Sequence, residues 1–417
     1  MRQVHDPSAR EAVTQAKQGD YFSFERASTV PRTESRRGVL LEWCNAFKQV
    51  WPIYLATHGA CVLLSYLVVL FQVKNFSHDQ LPFSVLWSAW YRWDSGQFVS
   101  IATRGYDSPW RTAFFPLYPL LESVLGLLVS SPFIAGLIIS NIVTLVLFTV
   151  LYRLLQVDFE STLAYRAVLY LAVFPTAFFL AAAYNEALFL CLVLLCFYAM
   201  RRSKWWWAGL FGLLASLTRS AGLCLLVPFC YEYLYQRRFR LSAIRADALS
   251  GLLILAGTGL FAVYCGFRFG DALAFSHVQA YWGRALTFPG IGFARAFWVI
   301  LHAGVLSFST LHSVIDLGAG LLALVLTVLC FVGPWKIPVE LQAYGFYAVA
   351  LYLFLILFPG RDVPLQSLSR MVLEVFPIFI ILAAMGKKAS INLYYLTLSG
   401  ALLCFMLLQF LTGYWIT

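Results

Sequence analysis

The chain has 417 residues, of which 61% are hydrophobic and only 12% are charged, and its mean hydropathy is +0.75. This composition excludes a soluble globular protein and predicts an all-α, polytopic membrane protein. In a soluble protein, the net charge of +10 would suggest a nucleic-acid partner. Here the Lys and Arg residues cluster in short loops between apolar runs, so we expect them to set orientation and to contact lipid phosphate.

Several classes of site are absent from the sequence. Most of the nine cysteines lie within apolar runs and lack paired zinc-ligand spacing, so neither a disulfide framework nor a metal site is expected. The chain contains no phosphate-binding glycine loop, dinucleotide fingerprint, zincin helix motif or Gly-x-Ser-x-Gly nucleophile elbow. These absences argue against a soluble nucleotide as the substrate.

The first apolar run follows a polar N-terminal region. Residues 1–37 mix both charge signs with Pro and Ser, which predicts a flexible cytoplasmic tail. Residues 38–50 carry apolar groups on one helical face and are expected to lie along the inner membrane interface. Residues 51–73 then form the first crossing, retained as an anchor because no cleavable signal precedes it. We therefore divide the chain into a tail with an interfacial helix, residues 1–50, and a transmembrane catalytic domain, residues 51–417.

The basic loops determine the predicted topology. The excess of Lys and Arg in cytoplasmic loops places four clusters inside: residues 201–204, residues 237–240, Lys336, and Lys387 with Lys388. They all face the cytoplasm if residues 114–130 dip into the membrane without crossing and residues 291–311 lie along its surface. The chain then crosses about eleven times and ends outside. The expected spans are 51–73, 132–155, 163–183, 186–200, 205–217, 221–236, 248–269, 314–332, 341–358, 371–386 and 391–414.

This topology gathers the polar clusters on the outer face. In the first outer loop, Asp94 follows Trp90, Tyr91, Arg92 and Trp93. A carboxylate at the edge of a bilayer is costly unless it is solvated or paired, and the aromatic rings would anchor it at headgroup depth. We interpret Asp94 as the functional centre. The alternative is an interfacial aromatic belt that contains one solvated acid.

Three further charged residues have both a functional and a simpler interpretation. Glu186, next to Asn185, is either a functional intramembrane acid or part of a plain turn between helices. Arg219 lies at the tip of two short helices, where a guanidinium can grip a phosphate oxygen, or is an ordinary loop arginine. Arg370 opens a later span and either serves the same phosphate or extends to the lipid headgroups.

The segment 275–284 is the remaining candidate. His277, Tyr281, Trp282 and Arg284 combine a titratable ring with aromatics and a cation. They are candidates for lining a sugar or lipid-phosphate site, and an interfacial belt explains the aromatic residues equally well.

Four short sequence blocks follow one another along the chain. Trp93-Asp94 precedes Phe-Phe-Pro-Leu-Tyr-Pro at 114–119; Phe-Pro at 174–175 leads to Tyr-Asn-Glu-Ala-Leu-Phe at 184–189; Leu-Thr-Arg-Ser-Ala-Gly follows at 217–222; and Ser369-Arg370 leads to Phe-Pro at 376–377. Together these blocks cover most of residues 85–385. They resemble those of the PIG-V family of GPI mannosyltransferases and its bacterial relatives, and the short loops fit a prokaryotic member.

The resemblance implies a GT-C-type fold, an all-helical membrane glycosyltransferase with re-entrant or interfacial helices in its first outer loop. It implies transfer of mannose, or a similar hexose, from a polyprenyl-phosphate donor to an extracytoplasmic lipid or glycan acceptor, with inversion at the anomeric carbon. The cell membrane would then hold the enzyme, with its N-terminus in the cytoplasm and its active site outside. Met371 stands where the family often has Tyr, which leaves the acceptor open.

The chemistry of such a transfer assigns roles to the candidates. A base must take the proton of the acceptor hydroxyl, and cations must hold the departing phosphate. We expect Asp94 to be the base and Arg219 and Arg370 the cations. Substrate contacts or a supporting role are expected for Trp93, Gln97, Tyr184, Glu186, His277, Tyr281 and Trp282.

Other expectations concern partners and the competing class of function. Neither a cofactor nor a nucleic-acid partner is expected; a divalent cation and a partner subunit are left open. The alternative function is a multi-pass lipid or solute transporter or flippase, which also uses broken helices and intramembrane charge. Sparse polar residues at the span centres and the lack of two halves with matching interruptions argue against it.

Overall fold

The computed structural model describes residues 36–72, 81–304, 306–361 and 363–414, and within these ranges it leaves out the side chains of Arg36, Arg37, Gln72 and Trp282. The tail predicted over residues 1–37 therefore lies almost wholly outside the described residues. Every regular element in the described ranges is helical. The helices are α1 (Arg36–Gln72), α2 (Ser84–Ser88), α3 (Asp94–Arg104), α4 (Leu117–Val129), α5 (Pro132–Asp158), α6 (Ser161–Ala172), α7 (Glu186–Arg201), α8 (Trp205–Thr218), α9 (Leu226–Gln236), α10 (Leu252–Phe269), α11 (Ala274–His277), α12 (Ile291–His302), α13 (Phe308–Leu329), α14 (Ala343–Ile356), α15 (Leu368–Met371), α16 (Pro377–Met385) and α17 (Ala389–Thr412).

The predicted all-helical, multi-pass architecture is confirmed. Among the described residues, five helical segments are long and apolar enough to cross a membrane: Gly38–Phe71, Pro132–Asp158, Ala246–Phe269, Phe308–Leu329 and Ala389–Thr412. The pair Leu368–Glu374 and Pro377–Met385, bent by 86°, makes a sixth if it is one span. Helices α7, α8, α9 and α14 coincide with expected spans but are shorter than the roughly 20 residues of a full crossing. The count of eleven stays a prediction.

Two expected segments have a different form in the structure. Residues 38–50 are not a separate helix, because α1 continues without interruption through residue 50 and contains Pro52. The run 163–183 is not one helix either: α6 ends at Ala172, and a short 3-10 turn follows at Ala177–Leu180. Pro175 accounts for this interruption between α6 and the 3-10 turn, because a proline disfavours helical geometry in the residue before it and supplies no backbone N–H.

The core is a row of closely packed helices. Helix α7 lies between α5 and α8, and α8 in turn packs on α10. Glycines permit the close approach of α8 and α10, since a Cβ on Gly257 would lie within 2.3 Å of the carbonyl oxygen of Leu213. Small residues at such contacts are typical of helix pairs in membranes, where packing replaces the hydrophobic driving force. The break that precedes α7 and the break that follows α8 are therefore both connected to this packed row.

Short helices fill the connection between α1 and α5. Helices α2, α3 and α4 lie there, and α4 packs on both α3 and α5. The indole Nε1 of Trp90 donates a hydrogen bond to the hydroxyl of Ser65 in α1, over 2.9 Å. Ser131 caps α5 by accepting the backbone N–H of Ile134. The loop that carries Asp94 is thereby attached to both neighbouring long helices.

Candidate active site

Asp94 is the first residue of α3, and the backbone before it is unusual. Trp93 has φ of +47°, a conformation that is a genuine outlier for a bulky side chain. Such strain persists only where surrounding contacts hold it. The contacts are present: the Ser95 hydroxyl donates to the carbonyl of Ala183 over 3.3 Å, and the Tyr184 hydroxyl donates to the carbonyl of Arg92 over 3.0 Å. The Asp94 loop is thus fixed to the break between α6 and α7.

A chain of alternating charges begins at Asp94. Its Oδ2 accepts a hydrogen bond of 2.7 Å from Nη1 of Arg370, and Nε of Arg370 donates over 2.6 Å to Oε1 of Glu186. The same oxygen of Glu186 accepts from Nη1 of Arg219 over 2.9 Å. Nη1 of Arg219 lies 2.6 Å from Oε1 of Glu374. We call these five residues the ionic network.

Four of the five members of the ionic network come from breaks or ends of apolar helical segments. Glu186 opens α7, Arg219 follows α8, Arg370 lies in the four-residue helix α15, and Glu374 ends a 3-10 turn before α16. Charged groups at membrane depth are tolerated where they pair with one another inside protein, away from lipid. The helix breaks therefore create the position in which these charges can be paired.

Exposure separates the acids of the network. The side chains of Glu186 and Glu374 are 0% exposed, whereas that of Asp94 is 20% exposed. Arg219 and Arg370 are 17% and 10% exposed. Asp94 is therefore the only partly exposed carboxylate of the ionic network, and each of the two buried acids pairs with an arginine.

Aromatic rings lie against the guanidinium groups of the two arginines. The Arg370 guanidinium lies 4.5 Å from the ring centroid of Tyr184 and 4.7 Å from that of Phe179. Arg219 lies over Phe189 at 5.9 Å. Cation–π contacts of this kind favour the charged form and restrict its orientation. Tyr184 thus contacts both the loop before Asp94 and the cation that binds it.

A buried carboxylate in α13 positions the backbone before Arg370. Oδ1 of Asp316 accepts the N–H of Ser369 over 2.9 Å, and the Thr176 hydroxyl donates to the Ser369 carbonyl over 3.0 Å. Ser367 has φ of +66°, so the chain turns sharply immediately before this contact. The sequence interpretation passed over Asp316 and Glu374, although each is a lone acid within an apolar run, the signal by which Glu186 was selected.

Arg284 is a third cation near the network. It lies in the loop between α11 and α12, and its charge interacts with those of Arg219, Asp94 and Arg370. Burial, together with neighbouring Arg219, lowers the pKa of Arg284 to about 10. The guanidinium remains charged at neutral pH, so three arginines and three acids share this region.

The remaining predicted residues lie in varied positions. Trp93 is 41% exposed and Gln97 is half-buried one turn into α3. Tyr281 is 86% exposed, and the exposed His277 pairs with Asp271 at 2.8 Å, which lowers the pKa of the Asp271 carboxyl. Neither His277 nor Tyr281 contacts the ionic network. The Trp282 side chain lies outside the described residues.

Among the residues that the structure describes, no group of three or more His, Cys, Asp or Glu side chains is placed to hold a metal ion. The carboxylates around Asp94 are instead engaged by arginines.

The sequence matches the family model described as mannosyltransferase (PIG-V) over residues 46–290. The chain is 31% identical over 228 residues to the GPI alpha-1,6-mannosyltransferase 2 of Rattus norvegicus, covering 51% of this chain and 44% of the relative. It is 34% identical over 161 residues to the Mus musculus protein of the same name, covering 35% of this chain and 32% of that protein. The matched segments thus span less than half the length of these relatives.

An Archaeoglobus fulgidus oligosaccharyltransferase tethered to an acceptor peptide aligns with 88% of this chain and 56% of its own, with a TM-score of 0.46 and 14% identity. The same protein in complex with Zn and sulfate gives a TM-score of 0.45 over 86% of this chain and 53% of its own, also at 14% identity. The family match, by contrast, covers more than half of the 417 residues. This chain belongs to the mannosyltransferase (PIG-V) family.

Proposed function

We propose that the protein is a GT-C-type membrane glycosyltransferase. It moves mannose, or a similar hexose, from a polyprenyl-phosphate donor to an extracytoplasmic lipid or glycan acceptor, with inversion. Family membership supports mannosyl transfer, and the relatives from rat and mouse are named as GPI alpha-1,6-mannosyltransferases. The observation that carries the proposal is a partly exposed carboxylate, Asp94, held against Arg370 in a network of buried ion pairs.

Asp94 has the features of a general base. Its Oδ2 is occupied by Arg370, while Oδ1 accepts no hydrogen bond from a described residue and the side chain is 20% exposed. A base must come within hydrogen-bonding distance of the proton that it removes. The bond to Arg370 orients the carboxylate and leaves Oδ1 for the acceptor hydroxyl.

The two arginines are not equivalent toward phosphate. Every side-chain nitrogen of Arg370 contacts a carboxylate of Asp94 or Glu186. Arg219 uses Nη1 for Glu186 and Glu374, and its Nε and Nη2 donate to no described residue. The Nε–H and Nη2–H groups of Arg219 therefore remain as two donors for a bidentate phosphate contact. Arg370 contributes through its charge. Arg284 adds a third positive charge to the same region.

The proposed reaction is a single displacement. The oxygen of the acceptor hydroxyl forms a bond with the anomeric carbon, and the bond from that carbon to the phosphate oxygen breaks. The hydroxyl proton passes to Asp94, and the electron pair leaves with the polyprenyl phosphate, whose charge Arg219 stabilises. A phosphate leaving group needs little protonation, so one essential carboxylate suffices, and a single displacement inverts the configuration.

The proposed location follows from charge. The basic loops at 201–204 and 237–240 support a cytoplasmic location for the helix ends near them, because Lys and Arg are enriched in cytoplasmic loops. In the proposed arrangement the N-terminus is inside, and the ionic network is at the opposite, outer face of the cell membrane. A long-chain polyprenyl donor would reach the network from the bilayer.

The test is direct assay of the purified full-length protein in lipid nanodiscs. It is incubated with radiolabelled polyprenyl-phosphate mannose and a host lipid extract, and products are separated by chromatography. We expect label in a new, more polar lipid. A matched reaction with nucleoside-diphosphate mannose should give none. Label that remains on the donor, or that is transferred only from the nucleotide sugar, would contradict the proposed function.

A further inference from the structure

A cavity of ≈ 520 Å³ opens beside the Asp94 loop, and no member of the ionic network lines it. Its walls are the end of α1, helix α2, the loop that leads to Asp94, and the start of α5. The residues that give the cavity its chemistry are Ser84, Trp87, Ser88, Tyr91, Arg92 and Ser131. The proposed function assigns nothing to this space.

The lining combines flat rings with hydroxyl groups. Trp87 and Tyr91 are 38% and 43% exposed, and they offer apolar faces to an occupant. The Ser88 hydroxyl donates to the carbonyl of Val85 and can still accept, the Ser131 hydroxyl accepts the N–H of Ile134 and can still donate, and Ser84 adds a third hydroxyl to the lining. A sugar ring presents the matching surface, since its C–H groups form apolar faces and its hydroxyls lie around the edge. Apolar walls with a few placed polar groups are the usual composition of a specific small-molecule site.

Arg92 adds a cation that no described carboxylate neutralises. Its Nη2 donates over 2.8 Å to the carbonyl of Leu411 in the last turn of α17, where the helix dipole is negative. Its Nη1 donates to no described residue. Arg92 thus lines the cavity while its guanidinium is anchored to the end of α17, and its Nη1 is the donor that remains for an occupant.

The cavity is adjacent to the proposed base. Arg92 is two residues before Asp94, so their Cα atoms are separated by no more than about 7.6 Å. The Tyr91 hydroxyl lies beside α3, because a Cβ placed on Gly96 would be 3.5 Å from it. Asp94 itself contacts Arg370, which does not line the cavity. Asp94 thus connects the cavity with the arginines proposed for the donor, as the base in a displacement must.

The position of the cavity also suits an amphiphile. It lies where α1 ends and α5 begins, and both helices are long and apolar enough to cross a membrane. Next to it, α1 exposes Leu63, Leu70 and Phe71, and Phe71 is 85% exposed. A head group in the cavity would therefore have an apolar helix surface alongside for its hydrocarbon chain.

We propose that this cavity binds the sugar head of the glycolipid that accepts the mannose. This inference rests on the proposed function. One acceptor hydroxyl points to Oδ1 of Asp94, the rings of Trp87 and Tyr91 cover the sugar, and the lipid chain follows α1. The acceptor oxygen then attacks the anomeric carbon from the side opposite the leaving phosphate, which is held by Arg219.

The probe is octyl α-D-mannopyranoside with a diazirine in its alkyl chain, photolysed with the full-length protein in nanodiscs. We expect cross-links, mapped by mass spectrometry, in residues 63–71, 84–92 and 131–134. Unlabelled octyl mannoside should compete, whereas an octyl oligo(ethylene glycol) should not. Ser88→Trp, which fills the cavity, should reduce labelling at least tenfold. Ser84→Trp at the same rim should act alike, and Ser390→Trp at the far end of α17 should leave labelling unchanged.

Transfer kinetics separate this inference from the function on which it rests. With octyl mannoside as acceptor, Ser88→Trp should raise the acceptor KM at least tenfold and leave the donor KM within twofold. Wild-type transfer combined with cross-links outside the cavity, or with unchanged acceptor KM in both tryptophan variants, overturns the cavity assignment alone. Cross-links in the cavity with no wild-type transfer from any polyprenyl-phosphate donor overturn the proposed function and the acceptor role together.

Discussion

Asp94 and Arg370 lie 276 positions apart in the chain, yet the carboxylate of one accepts a 2.7 Å hydrogen bond from the guanidinium of the other. Arg370 also contacts the fully buried Glu186, which in turn accepts from Arg219. The hydrogen bond from Arg370 fixes the orientation of the Asp94 carboxylate. It leads to predictions that distinguish catalysis from structural support.

Asp94→Asn should reduce transfer by roughly 100-fold or more, because the amide keeps the size and most hydrogen bonding of the acid but cannot accept the proton. Donor binding should persist. The measurement is single-turnover mannose transfer by detergent-stable wild-type and variant protein. Asp107→Asn is the matched control, since Asp107 is a carboxylate of the same loop that pairs with Arg111 at 3.2 Å. Near-normal turnover in the Asp94 variant refutes the assignment, and a larger loss at Asp107 moves the base there.

Arg219→Ala should raise the donor KM by roughly 10- to 100-fold, the scale of one charge-assisted hydrogen bond to phosphate. It also removes the cation beside Glu374, so the variant should be less stable. Adding Glu374→Gln should recover thermal stability without recovering donor binding. Arg268→Ala, an exposed position in the last turn of α10, is the control. If the double variant regains both properties, Arg219 has only a structural role.

Asp316→Ala should reduce kcat by roughly 10- to 100-fold, because small displacements of catalytic groups have effects of this size. The buried Ser369 N–H would lose its acceptor, and the backbone that carries Arg370 would shift. Asp316→Asn keeps an oxygen that can accept this hydrogen bond and should retain most activity. The donor KM should change little in either variant. Equal losses in the two variants would show that the hydrogen bond to Ser369 does not explain the effect.

Single-cysteine labelling should place Thr103 and Lys204 on opposite sides of the membrane. Both are exposed, and the positive-inside bias puts residue 204 in the cytoplasm and the α3 loop outside. Thr103→Cys and Lys204→Cys are made in a background that lacks all nine native cysteines, three of which are exposed. A membrane-impermeant maleimide applied to intact cells should label residue 103 alone. Labelling of both residues from one side would reject the topology.

Local sequence signals located the helices well, since apolar runs and their interruptions are properties of neighbouring residues. The breaks before Glu186 and after Arg219 were visible in the same way. What the sequence could not provide was the pairing of charges, because the contacts of Arg370 with Glu186 and Asp94 span 184 and 276 residues. Spacing along a chain carries no information on such distances. The proposal that Arg219 contacts the phosphate directly rests on these long-range contacts, which occupy the nitrogens of Arg370.

Two buried acids of the site could have been identified from the sequence. Asp316 and Glu374 are isolated acids in apolar segments, a pattern that marks functional or paired positions in membrane proteins. The cavity beside α2 had no such signal, because Ser, Trp and Tyr near a membrane surface are common in any interfacial belt. Its shape depends on how the ends of α1 and α5 meet, which is a tertiary property.

The late position of Arg370 in the chain has a consequence for biosynthesis. The ribosome synthesises Asp94, Glu186 and Arg219 first, so that both members of the Glu186–Arg219 pair of the folded protein precede Arg370. Asp94 gains its ion-pair partner only when residues 368–371 emerge. A nascent chain that has completed the family-matched region therefore still has a solvated, unoriented acid at its first loop. Under the proposed mechanism, the partner that orients the base is therefore supplied late, after the residues that form α1 to α14 have been synthesised.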